Sequence, residues 1–125
     1  MSIQPINELK YSESTSFEER KKKSSALLSK FKDKFPVILE KSKRDKYLSK
    51  MEKTKLLVSY DMTVATILQL LKKNIKVYDT TAIYIMVQDK NIMLSGAQSI
   101  SYIYDTYKND DGFLYLEYCT ENVFG

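Results

Sequence analysis

The segment from Thr63 to Ile75 limits the fold more than any other stretch. Its apolar residues Val64, Ile67, Leu68, Leu71 and Ile75 recur at i, i+3, i+4, i+7 and i+11, one helical stripe, and Thr63 precedes them as a good N-cap. A helix with a single apolar stripe has to bury it against another layer. The flanks supply strands for that layer. Phe35–Glu40 and Lys55–Val58 come before the helix, joined by the polar connection Lys41–Glu52, and are expected to pair antiparallel. Pro36 stands at the start of its strand, where a missing amide is tolerated, and the lysines around Leu56 and Leu57 mark an edge. Ala82–Val87 and Phe113–Tyr118 come after the helix. In the last of these, Phe113, Tyr115 and Glu117 share one face and Leu114, Leu116 and Tyr118 the other. Both faces are mostly apolar, which suits a central strand, and Asp110-Asp111-Gly112 supplies a turn before it.

Two further helices complete the order. Ser16-Phe17-Glu18-Glu19 fits a capping box, with a helix starting at Phe17 and carrying an apolar edge of Leu27, Leu28 and Phe31. Ile100, Ile103, Tyr104 and Tyr107 mark a shorter helix before the final strand. Helix, strand, strand, helix, strand, helix, strand buries the stripe only if the sheet wraps around the middle helix. The expected fold is therefore α+β, a β-grasp with a four-stranded mixed sheet around a helix and an additional N-terminal helix. In it the first and last strands are parallel central neighbours and the second strand is an edge. Residues 1–15 read as a partly ordered arm, 16–120 as the domain and 121–125 as a flexible tail.

Histidine is absent from all 125 residues, which removes Cys-His and Ser-His-Asp nucleophile systems and the commonest metal ligand together. Cys119 is the only cysteine; its neighbour Glu121 would raise its pKa, against a reactive thiolate. The glycines Gly96, Gly112 and Gly125 form no phosphate loop. The chain reads as a non-enzyme without metal or cofactor. No apolar run approaches the roughly 20 residues that span a bilayer, and Met1–Tyr11 lacks the apolar centre of a signal peptide, so a cytosolic protein is expected. From Glu18 to Lys55 there are 14 Lys or Arg against 6 Asp or Glu, whereas Leu56–Gly125 carries 5 against 8. That cationic half has few interleaved aromatics, which disfavours nucleic acid as a partner. Lys21, Lys22, Lys23, Lys30 and Lys34 leave open a face for anionic membrane, a face for an acidic protein segment, or an ordinary solvated face.

Ser16–Arg20, Phe35–Lys41 (FPVILEK), Lys53–Val58 (KTKLLV), Asp61–Val64, Ile103-Tyr104, Asp111–Tyr115 (DGFLY) and Glu121–Gly125 (ENVFG) together resemble the autophagy ubiquitin-like modifiers, the GABARAP type. The resemblance implies a ubiquitin-like fold, conjugated through Gly125 to phosphatidylethanolamine on autophagic membranes, with Phe124 gripped by the conjugating enzymes. It implies activating and transfer enzymes and a deconjugating cysteine protease as partners, and a location divided between cytoplasm and autophagosomal or other vesicle membrane. It also implies docking of cargo receptors and adaptors that carry an aromatic-x-x-aliphatic motif. The first pocket would use Leu27, Pro36, Lys55, Leu57 and Phe113. The second would use Leu56, Val58, Met62, Ile67 and Leu70, with Lys53 and Lys55 meeting acidic flanks. The chain departs from the family pattern at Lys23, Leu56 and Ser59 and in the longer turn Gln88–Gly96, and either it is a processed form or it needs no priming cut. An unconjugated β-grasp interaction domain and a modifier linked to a protein acceptor stand as alternatives.

Overall fold

A computed structural model describes residues 9–78 and 80–121. The elements are α1 (Tyr11–Ser14), α2 (Phe17–Lys30), β1 (Lys34–Lys41), β2 (Lys55–Ser59), α3 (Val64–Ile75), β3 (Ile83–Val87), β4 (Ile92–Met93), α4 (Ile100–Tyr107) and β5 (Leu114–Thr120). They form one mixed sheet in the order β2-β1-β5-β3-β4. β1 and β5 run parallel at its centre, with Val37 opposite Leu114 and Lys41 opposite Tyr118. β2 is antiparallel to β1, with Pro36 opposite Leu57, and forms one edge.

The expected four strands become five. β4 is a two-residue partner of β3, pairing Met93 with Met86 and Ile92 with Val87. It is too short to show a period of two, so the Gln88–Gly96 stretch read as a plain turn. The hairpin closes through Asp89 (φ 63°) and Asn91 (φ 53°), side chains that tolerate the left-handed region.

α3 starts where its cap predicts, Thr63 Oγ1 accepting from Thr66 N. Its stripe Val64, Ile67, Leu71 and Ile75 is buried against Val37, Leu39, Val58, Leu114, Leu116 and Tyr118 on one face of the sheet. Fully burying one such side chain stabilises the fold by roughly 1.5 to 3 kcal/mol. Ser99 caps α4 by accepting from Tyr102 N, and Tyr104 of that helix stacks on Phe35 at 4.4 Å between centroids.

The opposite face of the sheet is covered by α1 and α2. Ser16 Oγ accepts from Glu19 N, the first half of the expected box; the return bond from Glu19 to the Ser16 amide does not form among the described residues. Part of the N-terminal arm is structured. Tyr11 in α1 is only 7% exposed and packs edge-on against Phe113, 5.5 Å between centroids, in a second cluster with Ile38, Tyr115 and Leu27. α1 is pinned by Glu40, whose Oε2 accepts from Tyr11 N at 2.8 Å and whose Oε1 accepts from Gln88 Nε2 at 2.9 Å. α2 is tied to the start of β5. Arg20 Nη1 donates to Asp111 Oδ2 at 2.6 Å, and Ser24 Oγ donates to the Asp111 carbonyl. Gly112 sits at φ 95°, and a Cβ there would lie 2.3 Å from Ser24 Oγ, so the turn requires glycine.

Candidate peptide-docking edge and conjugation tail

Strand alternation divides the candidate pocket residues between the two faces of β2. Lys55 and Leu57 lie opposite Ile38 and Pro36 and share the α2 side. Leu56 and Val58 lie opposite Val37 and Phe35 and share the α3 side. Among the described residues no strand lies beyond the outer edge of β2, leaving a row of ladder groups between the two sides.

On the α2 side, Leu27 and Leu57 are half-buried. Pro36 is buried and Phe113 is fully enclosed, so these two lie beneath the half-buried pair. Tyr11 and Ile38, which sequence reasoning left out of this group, pack in the same cluster as Phe113 and Leu27. Tyr11 is the only aromatic residue in the first fifteen, the one sign that the arm would dock. Lys55 Nζ lies 4.6 Å from the Tyr11 ring centroid, a cation–π contact. Burial, and then the nearby Lys23 ammonium, pull the Lys55 pKa below its usual value. Two cations, Lys23 and Lys55, therefore stand close together on this side.

On the α3 side, Val58 (4% exposed) and Ile67 (1% exposed) belong to the core. Leu56 and Met62 are half-buried against that core, and Leu70 is 47% exposed. Leu70 lies off the buried stripe of α3, as its position in the helical repeat predicts. Lys53 is exposed just before β2.

Gly125 and Phe124 lie outside the described residues; the structure describes the root of their segment. Asp45, 1% exposed, accepts at Oδ2 from Thr120 N (2.6 Å) and Thr120 Oγ1 (2.8 Å), and at Oδ1 from Tyr47 N and Leu48 N, both 2.9 Å. Burial alone would raise its pKa, but these bonds outweigh burial and hold the carboxyl below its ordinary value of 3.8. A depressed carboxylate contributes stability above its unfolded-state pKa and loses it as pH falls through the folded value. Asp45→Asn turns a donor toward the Thr120 amide, and is expected to cost roughly 1 to 3 kcal/mol at neutral pH. That difference should shrink as pH falls below about 4. Denaturant unfolding of both chains across this range checks the sign; a gap that widens in acid overturns the assignment.

The Cys119 thiol is fully buried, and burial first, then Asp45 and Glu117, push its pKa up. The direction matches the sequence expectation, with a different main cause from Glu121. No group of His, Cys, Asp or Glu suited to a metal occurs among the described residues, and no described helix is long and apolar enough to cross a membrane.

Comparison with known proteins accounts for this arrangement. A family model described as "Autophagy protein Atg8 ubiquitin like" matches residues 19–125. Autophagy-related protein 8h of Arabidopsis thaliana is 40% identical over 111 residues, covering 88% of this chain and 90% of its own. Autophagy-related protein 8 of Schizosaccharomyces pombe is 38% identical over 110 residues, covering 88% of each. The crystal structure of Trypanosoma brucei ATG8 superposes with a TM-score of 0.83 at 29% identity, over 90% of this chain and 95% of that one. With its mixed sheet wrapped on α3 and its family match running from the second helix through Gly125, the chain belongs to the Atg8 family of autophagy ubiquitin-like proteins.

Proposed function

We propose that the chain is a modifier conjugated through Gly125 to phosphatidylethanolamine on autophagic membranes, and that its β2 edge docks receptors with an aromatic-x-x-aliphatic motif. The observation that carries the conjugation reading is the family match extending through ENVFG to Gly125. A glycine carboxylate has no Cβ to obstruct a narrow channel, so it can be activated and passed as a thioester to an amine. Phe124 is the side chain the conjugating enzymes would grip. The chain itself supplies the acyl group, while activating and transfer enzymes supply the thiols and a cysteine protease reverses the bond. The protein would divide between cytoplasm and autophagosomal membrane. Incubation of the chain with those enzymes, ATP and phosphatidylethanolamine vesicles tests this directly: a lipid-linked species supports it. Its absence with a demonstrably active enzyme set leaves the chain an unconjugated interaction domain.

The open β2 edge supports the docking reading. An extended peptide added there gains main-chain bonds, and side chains at alternating positions meet opposite faces of the strand. Its aromatic residue would enter beside Leu27 and Leu57 over Pro36 and Phe113, and its aliphatic residue beside Leu56, Met62 and Leu70. Val58 and Ile67 would back the second pocket. Lys53 and Lys55, with Lys23, favour acidic residues ahead of the aromatic. Leu57→Ala is expected to weaken binding by about 2 kcal/mol, and Lys53→Ala by roughly 0.2 to 1 kcal/mol. Titration of one such peptide against both variants decides it, and equal affinity of wild type and Leu57→Ala would place the peptide elsewhere.

A further inference from the structure

The connection between β1 and β2 is fastened to the end of β5. Ser42 N donates to the Tyr118 carbonyl at 2.9 Å, and Tyr118 OH donates to the Ser49 carbonyl at 2.6 Å while accepting from Met51 N at 3.1 Å. With the Asp45–Thr120 bonds, these hold the loop against the last residues of the strand from which 121–125 departs. The outer surface of the loop has a distinct composition. Arg44, Lys46 and Lys50 are exposed, as is Lys43, which pairs with Glu13 of α1 at 2.8 Å, and the one acidic residue among positions 43–50, Asp45, is turned inward and buried. Tyr47 stands among these cations 74% exposed, its backbone held by Asp45. A broad groove of about 1020 Å³ behind the loop has a mixed lining, Lys10 and Lys41 beside Glu40 and Glu52, with Lys10 paired to Glu117 at 3.4 Å.

A solvent-exposed tyrosine flanked in sequence by basic residues is well matched to an anionic bilayer interface. There the ring sits at headgroup level while the cations meet lipid charge. Position in the fold decides between this surface and the lysines of α2. α2 is fixed through Arg20 and Ser24 to Asp111, at the opposite end of β5. Seven strand residues span about 20 Å, and a five-residue tail reaches at most about 18 Å. A chain held by its tail brings the loop to the surface, while the point where α2 joins β5 stands a strand length farther away.

We infer that the Lys43–Lys50 loop, with Tyr47 at its centre, is the face that lies on an anionic phospholipid surface when the chain is held there by its tail. This rests on the reading of Gly125 as the lipid-linked residue, and the test is arranged to separate the two. Gly125→Cys is coupled to a maleimide-headgroup phospholipid in vesicles of phosphatidylcholine with or without phosphatidylserine. Cys119, fully buried, is shielded from the reagent. Lysines are then acetylated with a membrane-impermeant reagent and quantified by mass spectrometry. On phosphatidylserine vesicles Lys46 and Lys50 should label roughly fivefold more slowly than in the uncoupled chain, the factor matching one cation held near an anionic surface. Lys22 and Lys30 of α2 should label at an unchanged rate. High salt, or the combined substitution Lys46→Gln and Tyr47→Ser, should restore solution-rate labelling at Lys50. Protection of the α2 lysines with the loop labelled at its solution rate overturns the inference, as does uniform labelling. Because the coupling is chemical, enzymatic failure to conjugate Gly125 counts against the conjugation reading alone.

Discussion

Deletion of Gly125 is expected to abolish the lipid-linked form in a reconstituted conjugation reaction while leaving the thermal unfolding curve unchanged. The chemistry requires a carboxylate that fits an adenylating site and then a thiolate's approach, and without Gly125 the chain presents Phe124 at that point, a bulky side chain on the reacting residue. The fold is expected to survive the deletion, because among the described residues the β3–β5 pairing ends at the Ile83–Thr120 pair and the Asp45 clamp closes on Thr120 itself. Gly125→Ala should retain a fraction of the product, since one methyl narrows the fit without removing the acyl group. Phosphatidylethanolamine-linked product is resolved from free chain by mobility and mass. Undiminished product from the deletion would exclude Gly125 as the acyl donor.

Asp111→Ala should produce the largest loss of stability of any single change considered, on the order of 3 to 5 kcal/mol. The carboxylate is fully buried and satisfies three groups at once. Oδ1 accepts from Phe113 N at 2.8 Å, and Oδ2 accepts from Arg20 Nη1 at 2.6 Å and from Tyr115 OH. Removing it takes the acceptor from the Phe113 amide and the Tyr115 phenol and strips the charged partner from Arg20, whose side chain is only 12% exposed and keeps just the Thr15 carbonyl and the Tyr115 hydroxyl as acceptors among the described residues. Burial first, then the hydrogen bond to Asp111, raises the Tyr115 pKa, so the phenol stays protonated and donating at neutral pH. Asp111→Asn should lose less, because its carbonyl can still accept from the Phe113 amide. Denaturant titration of the three chains gives the order, and a loss under about 1 kcal/mol for Asp111→Ala would mean Arg20 finds another partner.

The helix that began the sequence reading was legible because its information is local and periodic. Val64, Ile67, Leu71 and Ile75 needed only a stripe and a cap, and once they were fixed, the strand order followed from the need to cover one face. What escaped the sequence was carried by long-range polar pairs with no period. Nothing in the segment Lys41–Glu52 marks Asp45 as the partner of Thr120 in place of another surface acid. Nor does a single Tyr11 in a polar arm declare that it will pack edge-on against Phe113. β4 escaped for want of length, since two residues cannot display an alternation. Of the candidate pockets, the membership came from the family resemblance, and the pairing of β2 with β1 places Lys55 and Leu57 on one face and Leu56 and Val58 on the other. The enclosure of Phe113, Val58 and Ile67 was not legible, because an apolar residue type does not tell whether it lines an opening or lies beneath it.

The parallel pairing of β1 with β5 joins strands from opposite ends of the chain. Closing so long a loop costs entropy before the pairing returns any, which places the fold among the slower topologies for its size. During synthesis β1 emerges early and has only β2 to pair with, its other edge open until the final strand leaves the ribosome. In that interval Val37, Ile38 and Leu39 present an unpaired apolar strand edge, the kind that associates with other chains. Arg20, Lys21, Lys22 and Lys23 are already translated by then, and like charge between neighbouring nascent chains opposes such association.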